Sequence, residues 1–317
     1  MTGAATGAAP LFSDLHPTAA TVRAAIPPAA ERIYYAFASP FRRAAMSVQP
    51  SHPQKITVMK LAQMKAAGEN IVALTAYDYC SAVAAAQAGV EVLLVGDSLG
   101  MVIQGHDSSL PVTIEDTAYH VRCVRRARQG ALLMADLPFM SYYSESRSLE
   151  NAAILMREGA QMVKLEGGAW LAETTRLLVE RGIPVCAHLG LMPQSVNHLG
   201  GYRVQGRDPA QGQSIIDEAK VLQTAGASLI LIECVPASLG SRLSASLEVP
   251  VIGIGAGAGT DGQILVWHDL LGLYPSQSAR FVKNYLKGNP GGVQGALANY
   301  VEDIKNGRFP TAEHGYS

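Results

Sequence analysis

The sequence predicts an α/β protein folded as a parallel (β/α)8 TIM barrel, and three observations carry the prediction. From Ile71 onward short runs of Val, Ile and Leu recur; each ends in a polar residue or a glycine; and each is followed by an alanine-rich or amphipathic stretch. Continuous apolarity, without the alternation of a half-exposed strand, marks parallel strands covered on both faces. Such repeated units suit a barrel, whose typical length is about 250 residues. An open doubly wound sheet is the second choice.

The strand candidates follow in order. IVALTAYD (71–78), VLLVGD (92–97), ALLMADLP (131–138), MVKLEGG (162–168), PVCAHLG (184–190), LILIECVP (229–236) and PVIGIGAG (250–257) are strong, and ILVWHD (264–269) is a weaker eighth. Helices lie between them. YCSAVAAAQAG (79–89) is nearly all helix formers and ends at Gly89, a C-terminal cap. SLENAAILMREGA (148–160) is expected to start at Ser148, with Ala152, Leu155 and Met156 on one stripe. WLAETTRLLVERGIP (170–184) stops at Gly182, just ahead of Pro184. HLGGYRVQGRDPAQG (198–212) is too long and polar for an ordinary connection and reads as a mobile lid.

The 317 residues suffice for one large α/β domain with a sizeable core. Charged residues make up only 16%, and 25 Lys plus Arg against 26 Asp plus Glu leave a formal charge of −1. That balance gives no general reason to bind nucleic acid or an anionic membrane. Cys80, Cys123, Cys186 and Cys234 show no CxxC spacing and read as reduced thiols of a cytoplasm-like compartment. No apolar run reaches the roughly 18 residues of a membrane-spanning helix. The first 45 residues are rich in Ala and Pro, with Arg23, Arg32, Arg42 and Arg43 against Asp14 and Glu31, which is poor material for a core. Three readings of them stay open: a disordered extension, an organelle transit peptide, or residues upstream of a start at Met46. The favoured organisation is an N-terminal extension over 1–54, expected to be disordered, and a single barrel over 55–317. The expected localisation is cytoplasmic, or mitochondrial if residues 1–45 are a transit peptide.

In a barrel the C-terminal strand ends share one mouth, where chemistry occurs. Asp97, Asp136, Glu166, His188 and Glu233 fall at or near five such ends. Each alone has a bland explanation, since an acid after a strand often caps the next helix and Asp136 before Pro138 can open a turn. Four carboxylates at one rim are harder to dismiss, because like charges raise one another's pKa unless a cation offsets them. All-oxygen ligands select a hard ion, Mg2+ above Zn2+, although Cys186 and His188, two apart on one strand, leave a zinc pair open. Lys164 is costly to bury unpaired. It reads as a structural ion pair to Glu166, as a cation beside a substrate oxyanion, or as a Schiff-base lysine, the last disfavoured by a metal. Glu233, between LILI and Cys-Val-Pro, has a setting that should raise a carboxyl pKa and suits a general base beside a carbonyl; a hydrogen-bonded structural acid is the alternative. GIGAG (253–257) lacks GxGxxG spacing, so tight packing is the safer reading. GHDSSLP (105–111) is either support for Asp97 or an ordinary surface loop.

TAYDY, VGDSLGMVIQGHDS, LPVT, ADLPFMSY, MVKLEGG, PVCAHLGLMPQSVN, GGYRVQGR, IECVP and PVIGIGAG occur in this order. From about Ile56 to the C-terminus the chain closely resembles the 3-methyl-2-oxobutanoate (ketopantoate) hydroxymethyltransferase family. The resemblance implies a barrel of the phosphoenolpyruvate/pyruvate type and a homodecamer. It also implies transfer of a one-carbon unit from 5,10-methylenetetrahydrofolate to 3-methyl-2-oxobutanoate, giving 2-dehydropantoate for pantothenate synthesis through a Mg2+-stabilised enolate. By resemblance Asp97, Asp136 and Glu166 are the magnesium site; Asp97, Ser98, Asp136 and Lys164 contact substrate; and Glu233 accepts the proton. The alternatives are another Mg2+-dependent 2-oxo acid carbon–carbon lyase on the same barrel and a non-catalytic barrel scaffold.

Overall fold

In the computed structural model, which describes residues 55–127, 130–275 and 278–317, eight parallel strands close into a barrel in the order in which they occur along the chain. The readings of residues 1–54 lie outside the described residues. Helix α1 (Val58–Ala66) precedes β1 (Ile71–Thr75). Then come α2 (Tyr79–Gln87), β2 (Val92–Val95), the short α3 (Leu99–Val102), α4 (Ile114–Arg125), β3 (Leu132–Asp136), α5 (Glu145–Glu158) and β4 (Met162–Glu166). The second half runs α6 (Ala172–Glu180), β5 (Val185–Gly190), α7 (Val196–Leu199), α8 (Pro209–Thr224), β6 (Leu229–Glu233), α9 (Ala237–Ala245), β7 (Val251–Ile254), β8 (Gly262–Leu265), α10 (Trp267–Leu270) and α11 (Gly292–Lys305). Each of the eight apolar runs supplies a strand, and nearly every strand residue is buried, as covering on both faces requires. Among the described residues no helix is long and apolar enough to cross a membrane.

Two boundaries differ from the sequence expectation. Helix α5 begins at Glu145, because Ser144 Oγ accepts from Arg147 N at 3.4 Å and acts as the N-cap. Ser148 is instead buried one turn in, its hydroxyl donating to Ser144 O at 2.8 Å. β8 begins two residues earlier than ILVWHD and ends at Leu265; Thr75 Oγ1 takes the Trp267 N–H at 2.9 Å and turns the chain into α10.

At the N-terminal end of the barrel one carboxylate ties three elements together. Asp261, just ahead of β8, accepts through Oδ2 from Lys65 Nζ, Ser244 Oγ and Val251 N, each at 2.8 Å. These donors belong to α1, α9 and β7. At the opposite end the long connection after α7 is tethered in its middle: Gln205 N donates to Cys234 O at 2.9 Å, and Gly206 N to Gln211 Oε1 at 2.7 Å.

Candidate active site

Strand register brings the polar side chains together. Asp136 on β3 pairs with Lys164 on β4, and Glu166 on β4 pairs with His188 on β5. Lys164 and Glu166, two apart, share a face. Lys164 Nζ consequently lies 2.9 Å from Asp136 Oδ1 and 3.1 Å from Glu166 Oε1. Glu166 Oε1 also meets His188 Nδ1 at 2.9 Å, and His188 Nε2 stands 3.4 Å from Glu233 Oε2. That last approach is a charge contact without hydrogen-bond geometry. Asp97 follows β2, and its N–H donates to Asp136 Oδ2 at 2.8 Å. Ser98 is next, its Oγ 2.8 Å from Tyr77 OH.

The predicted residues thus converge: Asp97, Ser98, Asp136, Lys164, Glu166, His188 and Glu233 all line one cavity of about 540 Å3 at the mouth. Glu233 reaches it from a strained corner. Cys234, the next residue, has φ 46 although it is not glycine, a conformation that persists only where surrounding contacts enforce it. Here Cys234 N donates to Ile254 O at 2.9 Å while its carbonyl holds Gln205. The neighbouring strand accommodates the corner at Gly190 (φ 86), where any Cβ would strike Glu233 O. The apolar residues that flank Glu233 in sequence do not enclose its carboxylate: it stands by His188 and opens on the cavity, its side chain 15% exposed.

Burial first, then the Asp136 and Glu166 charges, push the Asp97 carboxyl well above its ordinary range. Burial would also raise Glu166, but Lys164 and His188 outweigh it and hold Glu166 at about 2. Lys164 is opposed by burial and still driven up by Asp136, Glu166 and Asp97. A lysine so paired stays protonated, which speaks against a Schiff-base role. His188 is likewise opposed by burial and by Lys164, yet Glu166's charge and the two carboxylate contacts raise it to about 9. Burial pushes the Cys186 thiol up to about 12, so it is no zinc thiolate at neutral pH.

Among the described residues Asp136 Oδ1 is buried without a hydrogen bond, and its close cation contact is the misaligned Lys164. Asp97 Oδ2 accepts from Gln194 Nε2 at 2.8 Å, and its Oδ1 has no hydrogen bond among the described residues. Two adjacent carboxylates with spare oxygens and mutual repulsion fit a hard divalent cation. Glu166 fits less directly, since Lys164 and His188 use Oε1 and Gln194 N uses Oε2 at 3.0 Å. Among the described residues no three His, Cys, Asp or Glu groups enclose a metal by themselves. A sphere completed by water or substrate is the usual Mg2+ pattern.

Gln194 is the residue that sequence reasoning missed. Buried just after β5, it bridges Asp97 and Glu166 and accepts from Tyr142 OH at 2.5 Å. A glutamine in the apolar stretch LGLMPQ was its only signal. GHDSSLP contributes Ser109 to the cavity wall, with its Oγ buried and unbonded, and gives no hydrogen bond to Asp97 among the described residues. GIGAG is a packing element, as expected: a Cβ on Gly255 (φ 61) would meet Phe281 Cδ1 at 2.9 Å and Tyr316 Cε2 at 3.2 Å.

Residues 55–312 match the family model described as ketopantoate hydroxymethyltransferase. The chain belongs to that family. Relatives named 3-methyl-2-oxobutanoate hydroxymethyltransferase from Shewanella oneidensis and Stutzerimonas stutzeri are 57% and 54% identical over 263 residues. The matches cover 83% of this chain and 99% and 98% of theirs. Among solved structures, a phosphonopyruvate hydrolase in complex with oxalate and Mg2+ aligns with TM-score 0.52 at 14% identity, covering 66% of this chain and 80% of that one. An oxaloacetate acetylhydrolase in complex with 3,3-difluorooxalacetate aligns at 0.51 and 15% identity, over 82% and 99%. At such identities the likeness speaks for the fold alone, an eight-stranded parallel barrel.

Proposed function

We propose that this chain is a 3-methyl-2-oxobutanoate hydroxymethyltransferase that uses 5,10-methylenetetrahydrofolate as donor, forms 2-dehydropantoate and serves pantothenate synthesis. One observation carries the reading: the whole charged set at the barrel mouth, in a chain more than half identical to relatives of that name.

Asp97 and Asp136 would hold Mg2+, with Glu166 beside them, and the ion would supply charge to polarise a bound 2-oxo acid. The side chains do the rest. Ser98, held by Tyr77 OH, can donate to the substrate's carboxylate. Lys164, charged and fixed between Asp136 and Glu166, can neutralise oxygens on which negative charge builds. Glu233 opens onto the cavity and takes the proton from C3 of the oxo acid. The C3 electron pair then forms a bond to the donor's methylene carbon, water's oxygen becomes the hydroxyl on that carbon, and as both carbon–nitrogen bonds break the two folate nitrogens take up the proton removed from C3 and one from water. His188, at 3.4 Å from Glu233, offers positive charge to the base before it is protonated.

Turnover with and without EDTA tests the assignment. Loss of product on chelation, restored by Mg2+, is expected; product formation indifferent to both metal and folate would overturn it. Incubation with 3-methyl-2-oxobutanoate in D2O isolates the first step. Glu233→Gln is expected to slow C3 exchange by about 10²- to 10⁴-fold, and exchange at the parent rate would remove Glu233 from its role. The same reading carries assembly as a homodecamer, to be checked by light scattering, and residence in the cytoplasm.

A further inference from the structure

The cavity is larger than one small oxo acid needs. About 540 Å3 falls in the range of about 300–1,000 Å3 that encloses a drug-sized ligand. The residues assigned to the oxo acid and its ion come from β2, β3, β4 and β6 or the residues just after them. In a closed eight-strand order, β7 and β8 stand across the mouth from β3 and β4, and the wall by β7 has a different chemistry. Phe281 and Tyr316 lie against Gly255, which leaves no room even for a Cβ between them and the strand end. Tyr274 and Tyr202 continue the aromatic lining. Tyr202 stands near both halves: burial, then the charges of Glu233 and Asp97, raise its phenol.

One charged side chain from β8's connection lines the same cavity. Asp269, in α10, lines the cavity, and among the described residues no hydrogen bond or ion pair reaches its carboxylate. Burial alone raises it to about 6. An aromatic lining and a partly desolvated carboxylate in one cavity suit a flat heterocycle carrying adjacent N–H donors, because a carboxylate accepts two parallel N–H groups at once.

We propose that Asp269 receives the 2-amino and ring N–H groups of the folate donor's heterocycle, with the Tyr202, Tyr274, Phe281 and Tyr316 wall against its faces. The inference rests on the donor assignment made above. Asp269 takes no part in proton removal and acts on donor affinity.

Steady-state kinetics of Asp269→Asn and Asp269→Ala, beside C3 exchange in D2O without folate, tests it. Both variants are expected to raise the KM for 5,10-methylenetetrahydrofolate by about tenfold or more, the scale of a lost hydrogen bond to a charged group. The KM for 3-methyl-2-oxobutanoate and the exchange rate should stay within about twofold, because that half-reaction uses no donor. Preserved exchange also reports an intact fold. An unchanged donor KM, or exchange falling in step with turnover, overturns the role of Asp269 and leaves the enzyme assignment standing. If the parent exchanges C3 yet transfers no carbon from folate, the donor assignment fails and this inference with it.

Discussion

Gln194 shows how much one uncharged side chain can organise. Its amide donates to Asp97 and to Leu137 O at 3.1 Å, while its backbone N–H serves Glu166. Gln194→Ala removes the side-chain donors and keeps the backbone one. Outer partners of metal-binding carboxylates typically contribute about 10- to 100-fold in affinity. Mg2+ titration by calorimetry should therefore show weakening on that scale, alongside a lower melting temperature because Tyr142 OH and Leu137 O each lose a partner; parental affinity would demote Gln194 to packing. The contrast with Asp97 is instructive about legibility. A carboxylate ending VLLVG is conspicuous in sequence because burial of charge is costly. Buried glutamine is cheaper and common in loops, and its partners come from β2 and β4, far along the chain. Cys234 was equally silent, since a positive φ on a non-glycine follows from the contacts enforced by β7 and Gln205.

At the level of elements, strands were readable because continuous Val, Ile and Leu leave few alternatives to a doubly covered strand. Helix starts were not, where several serines compete: SESRS offers Ser144, Ser146 and Ser148, and only the folded chain shows that Ser144 caps. The weak β8 has a similar cause, since Gly262 and Gln263 carry little strand propensity and are held by pairing to β1 and β7. Helix α11 illustrates anchoring by charge. Asp303 accepts from Lys283 Nζ at 2.7 Å, Arg308 Nε at 2.8 Å and Tyr285 OH at 3.1 Å. Burial would raise its carboxyl, yet these bonds lower it below the ordinary value. A depressed carboxylate contributes stability that is present above the unfolded pKa, about 3.9, and is lost as pH falls through the folded one. Asp303→Asn should melt below the parent at neutral pH, and the gap should close in acid below about pH 4. A gap constant with pH would show that the charge contributes nothing.

For the molecule as a whole, chemistry and fastening occupy opposite ends. The mouth carries crowded carboxylates, a buried lysine and a strained corner, while the base carries Asp261 with donors from three elements. Asp261→Ala strands three donors and is expected to cost about 1–3 kcal/mol, seen as a lower melting temperature with unchanged C3 exchange; a fall in exchange at full stability would contradict the separation. Both halves of that expectation concern the same chain, yet no residue is shared between them. Such a division makes the barrel evolvable. Exchanging cavity-lining residues at the rim can change which ligands bind, while the fastening at the base holds the strands in place. A mutational library aimed at other oxo acids or other carbon donors therefore belongs at the rim, with Asp261, Lys65 and Ser244 left as they are.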